Sequence, residues 1–253
     1  MTDVPPLVVV SGPTAAGKTT IAAALAELAE LERHTAVTEP RRDWLSVDAE
    51  SHRPRRSEVD RLADLTLLHA VSTSGRARIV ESAALPTLLP VDNVALLVHV
   101  TASPLVRGRR VLASTPDLTF AEARIVVARR DFATCVALRT SWGVDLAERS
   151  ATRWRADLLV GCPHEDECPD EDACTENVTN LVAAAFGVYE NYLTQQPALA
   201  GAEAVALFGH LLAKYRGYVR RCTPLLIGLA GAYQVSRWQD RLRIELEKRA
   251  GLL

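Results

Sequence analysis

Residues 11–20, with the sequence SGPTAAGKTT, constrain this chain more than any other feature. Residues 12–19 fit the pattern G-x-x-x-x-G-K-[ST], which is the Walker A motif. The motif follows the apolar run Leu7–Val10 and precedes residues 21–32, which contain neither glycine nor proline. This order of strand, glycine-bounded turn and helix predicts a phosphate-binding loop in an α/β fold.

The residue types of this loop suit the binding of a nucleotide. Its glycines allow backbone N–H groups to turn inward around a phosphate. We expect Lys18 to reach the β- and γ-phosphates and the Thr19 hydroxyl to ligate Mg²⁺. The residues predicted to contact the nucleotide are Gly12, Pro13, Thr14, Ala15, Ala16, Gly17, Lys18, Thr19 and Thr20.

Apolar runs and helical patterns alternate beyond the loop. Buried strands are predicted at 34–38, 77–80, 94–101 and 157–161, and helices at 57–74, 104–113 and 120–142. This alternation predicts a doubly wound α/β domain with a parallel sheet. Because ligands bind at the carboxyl ends of such strands, we expect Glu39, Glu81 and Ser82 to lie near the loop.

The composition changes after Gly161. A polar loop is predicted at 162–176, where Cys162, Cys168 and Cys174 recur every six residues with His164 between the first two. A zinc site, a disulfide and a solvated loop without such a role all remain open for these residues. A helix is predicted at 177–193, and 202–250 are predicted to be helical with a break at Thr223-Pro224.

Charge and hydropathy exclude some classes of function. A net charge of −2 over 253 residues does not favour binding to nucleic acid or to a membrane surface. No run of 18 apolar residues is present, and the N-terminus lacks the pattern of a signal peptide. We therefore expect a cytoplasmic protein whose five cysteines stay reduced.

Four stretches resemble the P-loop nucleoside monophosphate kinases, in particular the cytidylate-kinase-like group. Residues 8–20 (VVVSGPTAAGKTT) are similar to the opening strand and loop of that group. Residues 95–113 (ALLVHVTASPLVRGRRVLA) resemble its fourth strand and an arginine-bearing helix. Residues 127–146 (VARRDFATCVALRTSWGVDL) resemble its lid, and 156–160 (ADLLV) its last core strand.

The resemblance implies a five-stranded parallel sheet and a helical lid at about 115–145. It also implies an acceptor-binding insertion at about 39–76. The kinase core would cover 1–193, followed by a helical C-terminal extension at 194–253. It further implies ATP and Mg²⁺ as cofactors and transfer of the γ-phosphoryl group to a nucleotide or small hydroxylated acceptor.

Lid arginines would stabilise the transferring phosphoryl group in this resemblance. The candidates are Arg124, Arg129, Arg130 and Arg139, with Arg107 and Arg110 on the preceding helix; Arg107 is also a candidate for binding the acceptor. The alternative is an exposed helix face on which Glu122 pairs with Arg129 or Arg130.

The acceptor side follows a different pattern. Glu39-Pro40 and Trp44 resemble the E-P-x-x-x-W region of deoxynucleoside kinases, which implies that Glu39 acts as general base on a sugar hydroxyl. In either resemblance a carboxylate from Glu39, Asp48 or Glu81 would orient the acceptor or hold Mg²⁺. An arginine-rich run could bind an anionic acceptor or could be an exposed loop; its members are Arg41, Arg42, Arg53, Arg55 and Arg56.

The C-terminal residues 229–253 resemble the helix-turn-helix half of winged-helix regulators. This resemblance implies a second class of function, a nucleotide-sensing regulatory protein that contacts DNA or a partner. The simpler interpretation is a helical extension that packs on the kinase core or forms a homodimer.

Overall fold

The computed structural model describes residues 7–35, 57–89, 96–145, 156–161, 171–194, 206, 209–210 and 212–222. Strands and helices alternate along most of this part of the chain. The strands are β1 (Leu7–Ser11), β2 (Glu32–Thr35), β3 (Arg78–Glu81), β4 (Leu96–Thr101), β5 (Leu158–Gly161) and β6 (Val219–Arg221). The helices are α1 (Lys18–Leu28), α2 (Ser57–Thr73), α3 (Leu85–Leu88), α4 (Pro104–Ser114), α5 (Phe120–Trp142) and α6 (Glu171–Thr194).

The strands form one six-stranded sheet in the order β2-β3-β1-β4-β5-β6. The first five strands of this order are parallel, and β6 pairs antiparallel with β5. The predicted α/β class and the parallel core are therefore confirmed, and the expected count of five strands is one too low. β1 lies at the centre between β3 and β4, so the loop that follows it emerges at the middle of the carboxyl edge.

Each face of the sheet is covered by helices. Side chains of α1 and α6, such as Leu25 and Leu181, pack on one face against Val8 and Val98. On the other face, α2 and α3 cover Val9 and its neighbours, with Leu67, Val71 and Leu85 fully or nearly buried. Helices thus bury both faces of the parallel strands, which is why the strands are continuous apolar runs in the sequence, as expected of a doubly wound fold.

Helices α4 and α5 form a third, smaller cluster beside the loop. Val111 of α4 packs against Ala123 and Val127 of α5. Helix α5 begins with a capping box in which Thr119 and Glu122 satisfy each other's backbone N–H groups, and it ends at Gly143 in a left-handed conformation. Glu122 therefore serves as a helix cap, and α5 lies within the region predicted to be the lid, at about 115–145.

The C-terminal half departs from prediction in two places. Val219–Arg221 is the strand β6, so the prediction of helix throughout 202–250 is wrong at these residues. Helix α6 begins at Glu171, six residues earlier than predicted, which puts Cys174 in the buried core instead of a polar loop. Tyr215 also packs into the core beneath the sheet. The boundary predicted at 193 stays a prediction.

The described residues include only some of those on which the cysteine and metal predictions depend. Cys162, His164 and Cys168 lie outside them, as do the helix-turn-helix-like residues 229–253. Cys135 and Cys222 are free thiols. Within the described ranges no group of three or more His, Cys, Asp or Glu side chains could hold a metal ion, and no helix is long and apolar enough to cross a membrane.

Candidate phosphate-binding site

The loop between β1 and α1 has the backbone that its glycines predict. Gly12 has φ 143°, and a Cβ there would lie 2.1 Å from the carbonyl oxygen of Val100 on the adjacent strand β4. Gly17 has φ 95° and caps α1, while Ala15 between them has φ 56°. Three left-handed or glycine-only conformations in six residues curl the loop around the amino end of α1.

Lys18 folds back over this loop. Its Nζ donates a hydrogen bond to the carbonyl oxygen of Pro13 at 2.7 Å. Burial lowers the pKa of Lys18, whereas the nearby carboxylates of Glu81 and Asp131 raise it and the Arg107 guanidinium lowers it. The buried ammonium group thus lies near two carboxylates and one guanidinium group.

Glu81 and Thr19 meet on the other side of Lys18. The Thr19 hydroxyl, at the start of α1, donates to Glu81 Oε1 at the end of β3 over 2.9 Å. Glu81 Oε2 is buried and has no hydrogen-bond partner within the described part of the chain. A carboxylate oxygen without a hydrogen-bond partner, beside a threonine hydroxyl, provides the oxygen ligands that a hard cation such as Mg²⁺ prefers.

Two arginines of α4 hold the loop from the opposite side. Arg107 donates to the carbonyl oxygen of Thr14 at 3.2 Å, and Arg110 donates to that of Ala15 at 3.3 Å. Ser103 caps α4 through a hydrogen bond from the Val106 N–H, which fixes the helix start that aims both arginines at the loop.

Asp131 of α5 completes the loop's surroundings, and sequence reasoning did not assign it a role. Its Oδ1 accepts the backbone N–H of Thr14 at 2.9 Å, and its Oδ2 accepts from Arg107 at 2.5 Å. Arg107 Nε is buried and makes no hydrogen bond to the described residues. The only sequence signal was the acid following the paired arginines of the lid-like stretch.

The other predicted lid arginines occupy different positions. Arg124 and Arg129 are exposed on α5, and Arg130 is half-buried, with its pKa lowered by burial. Arg139 forms an ion pair with Asp145 just beyond the end of α5. The structure therefore brings Arg107 and Arg110 to the loop, while the catalytic role predicted for Arg124, Arg129 and Arg130 stays a prediction.

Predicted acceptor residues fall into two groups. Glu81 ends β3 beside the loop and Ser82 follows it, with the Ser82 Oγ accepting the N–H groups of Ala84 and Leu85. The remaining candidates lie outside the described residues: Glu39, Arg41, Asp48 and Arg53.

Of the other loop positions, Ala16 is buried and Thr20 is exposed. Beneath the loop, the buried hydroxyl of Ser11 lies 3.0 Å from His99 Nδ1 on β4.

Helix α2, inside the predicted acceptor-binding insertion, contacts the carboxyl end of α5 in the predicted lid. The Trp142 indole N–H donates to Asp64 Oδ2 at 3.0 Å, and the Arg61 guanidinium lies 5.0 Å from the centre of the Trp142 ring. These contacts join the two regions that the resemblance assigns to the acceptor and to the lid.

Comparison with known proteins gives structural likenesses only. No family model matches the chain, and none of the curated proteins matches it. Among solved structures, an uncharacterized protein from Eubacterium ventriosum ATCC 27560 is similar at 10% identity, with a TM-score of 0.49 over 72% of this chain and 98% of that one.

Two further similar structures are described as kinases. A shikimate kinase from Bacteroides thetaiotaomicron matches at 16% identity and TM-score 0.42, covering 70% of this chain and 98% of its own. A gluconokinase from Sinorhizobium meliloti 1021 matches at 15% identity and TM-score 0.44, covering 76% and 98%. Scores below 0.5 assign neither a family nor an activity to this chain.

Proposed function

We propose that this chain is an ATP- and Mg²⁺-dependent phosphotransferase that acts on a nucleotide or a small hydroxylated acceptor. The observation that carries the proposal is the contact of Thr19 with Glu81 at the start of α1, with the second carboxylate oxygen buried and unpartnered among the described residues. This contact supports the proposal because a Mg²⁺-nucleotide complex needs oxygen ligands for the metal next to a phosphate loop.

The residues of the chain have separable roles in this proposal. The loop N–H groups and Lys18 bind the β- and γ-phosphates, while Thr19 and Glu81 hold Mg²⁺, which would neutralise phosphate charge when bound. Arg107 and Arg110 stand on the opposite side, where guanidinium groups can meet negative charge on the transferring group.

The chemistry that follows is a direct transfer. The bond between the γ-phosphorus and the oxygen of the ADP leaving group breaks, and a bond to the acceptor oxygen forms in line with it. Where the acceptor is a hydroxyl group, it gives its proton to a carboxylate, for which Glu39 and Asp48 are the candidates if Glu81 is committed to the metal. Lid arginines, with Arg124, Arg129 and Arg130 as candidates, would stabilise the transition state.

The narrower assignment to a cytidylate-kinase-like enzyme rests on the sequence resemblance and is part of the proposal. A deoxynucleoside or metabolite kinase with Glu39 as base would share the same phosphate site. The loop, Lys18 and Glu81 support phosphoryl transfer more directly than they support any one acceptor.

The test is ADP release from ATP and Mg²⁺ in the presence of CMP, dCMP, UMP, AMP, GMP, the nucleosides and a set of hydroxylated metabolites. We expect turnover with at least one acceptor, and a loss on the order of 100-fold in Lys18→Ala. Lys214→Ala is the matched control, because Lys214 is exposed and its ammonium group lies over the Tyr215 ring.

Two results would contradict the proposal. Turnover that survives Lys18→Ala would show that the loop is not the phosphate site. Tight ATP binding with no turnover on any acceptor, together with DNA binding that depends on Lys18, would instead favour the nucleotide-sensing regulator.

A further inference from the structure

The lid-like helix α5 places one carboxylate directly on the phosphate-binding loop. Asp131 accepts the Thr14 N–H through Oδ1 and the Arg107 guanidinium through Oδ2, while Arg107 also donates to the Thr14 carbonyl. A loop N–H and a guanidinium are the two kinds of donor that bind phosphate oxygens in proteins. The carboxylate therefore uses donors that a terminal phosphate would need.

We propose that Asp131 is a specificity-determining residue of this site, whose carboxylate competes with the γ-phosphate for the Thr14 N–H and for Arg107. Binding of a triphosphate is thereby coupled to the release of Arg107 from Asp131 toward the transferring group. A diphosphate, which lacks the competing phosphate, binds with the Asp131 contacts in place. The inference rests on the proposed function, because it assumes that ATP binds this loop.

The surroundings of the pair make such competition effective. The Arg107 side chain is 12% exposed and that of Asp131 29%, so solvent screens their charges less than it screens a surface pair. The carboxylate also acts on Lys18, whose pKa it raises. Since Lys18 is expected to reach the β- and γ-phosphates, the Asp131 charge lies close to the position of the γ-phosphate.

Arg107 has a hydrogen-bond donor that its contact with Asp131 does not use and that a phosphate could bind. Its Nε is buried without a hydrogen-bond partner in the described ranges, so the contact with Asp131 leaves one of its donors unsatisfied. A tetrahedral phosphate offers more acceptor oxygens than one carboxylate, and a guanidinium can bind it in a bidentate way. Transfer of Arg107 from the carboxylate to a phosphate thus satisfies more of its donors.

The test compares the binding of ATP·Mg²⁺ and ADP·Mg²⁺ to wild-type protein and to Asp131→Asn by isothermal titration calorimetry. Asparagine keeps an oxygen for the Thr14 N–H and removes the negative charge that holds Arg107. We expect the affinity for ATP to rise about tenfold and that for ADP to rise less than about threefold, from the Coulomb interaction at short range.

Asp117→Asn is the matched control for a change of net charge. Asp117 is exposed in the turn between α4 and α5, and its substitution should leave both affinities within about twofold of wild type. Equal gains for ATP and ADP in Asp131→Asn, or weaker binding of ATP, would overturn the inference while leaving the proposed function intact. If neither protein binds ATP, the proposed function fails and the inference fails with it.

A second measurement needs no substitution at Asp131. In ¹H–¹⁵N spectra of the wild-type protein, the Thr14 amide should shift further with the β,γ-imido analogue of ATP than with ADP, because only the triphosphate displaces its carboxylate partner. Equal shifts of this amide with the two nucleotides would refute the competition even if Asp131→Asn does not fold.

Discussion

A carboxylate at the amino end of β5 makes the stability of this fold depend on pH. Burial raises the pKa of Asp157 to about 6 from an ordinary value of 3.8, although a hydrogen bond from the Leu97 N–H at 2.7 Å acts in the opposite direction. The folded state therefore holds this proton more tightly than the unfolded state. Between pH 3.8 and about 6, the free energy of unfolding falls as pH rises, by about 3 kcal/mol in total.

The substitution Asp157→Asn isolates this effect. Asparagine retains an oxygen for the Leu97 N–H and carries no charge at any pH, so the variant should lack the loss of stability that wild type suffers above pH 4. We expect the free energy of unfolding of the variant, relative to wild type, to increase by about 3 kcal/mol from pH 4 to pH 7 and to stay level above that.

The assay is urea unfolding followed by tryptophan fluorescence at intervals of half a pH unit. Asp117→Asn, at an exposed site, controls for the removal of one negative charge and should show no comparable trend. A difference between Asp157→Asn and wild type that stays constant from pH 4 to pH 7 would refute the reasoning, because it would show that burial does not destabilise the charged form.

Two further predictions concern the phosphate loop. Gly12→Ala should lower the free energy of unfolding by about 3 kcal/mol or more, because the added Cβ would collide with the Val100 carbonyl. Urea unfolding measures this against the control Gly75→Ala, where an added Cβ meets no atom within 4 Å. Equal stabilities of the two variants would contradict the prediction. Glu81→Gln should reduce Mg²⁺-dependent ADP release on the order of 100-fold, because it removes the charge of a carboxylate proposed to hold the metal. The far-ultraviolet circular dichroism should change little, which shows that the variant is folded. Turnover that keeps its wild-type dependence on Mg²⁺ would exclude Glu81 from the metal site.

Features encoded within short stretches were predictable from the sequence. The strand, loop and helix around residues 7–28 follow from an apolar run, two glycines and an unbroken helical segment, and the structure has them at Leu7–Ser11 and Lys18–Leu28. Helix α5 was predicted from its helical period at its observed bounds, Phe120–Trp142, and its capping box and terminal glycine are local features as well.

Features that depend on tertiary contact were not predictable. Strand β6 has only three residues, Val-Arg-Arg, and pairs with β5 about 60 residues earlier, so neither length nor alternation distinguishes it from helix. The early start of α6 was hidden by acidic residues that resemble a loop, although acids also favour the first turn of a helix.

The contact of Asp131 with the loop belongs to the same class. Asp131 and Thr14 are separated by 117 residues, and nothing in either local sequence links them. The arginines of this region were expected near the loop because guanidinium groups bind phosphate. A carboxylate repels phosphate, so nothing indicated that Asp131 would contact the loop. Only the packing of α4 on α5 brings the carboxylate to the loop.

The two carboxylates around Lys18 have a common electrostatic effect and different chemical uses. Burial alone would favour neutral Lys18, and both Glu81 and Asp131 oppose this by raising its pKa, so they favour the charged ammonium that the proposed phosphate binding would need. Glu81 contacts a hydroxyl suited to a cation, whereas Asp131 contacts donors suited to an anion. Bound Mg²⁺ would therefore reinforce the position of Glu81, while the γ-phosphate of ATP would compete with Asp131. For this reason neutralising the two acids should change ATP binding in opposite directions.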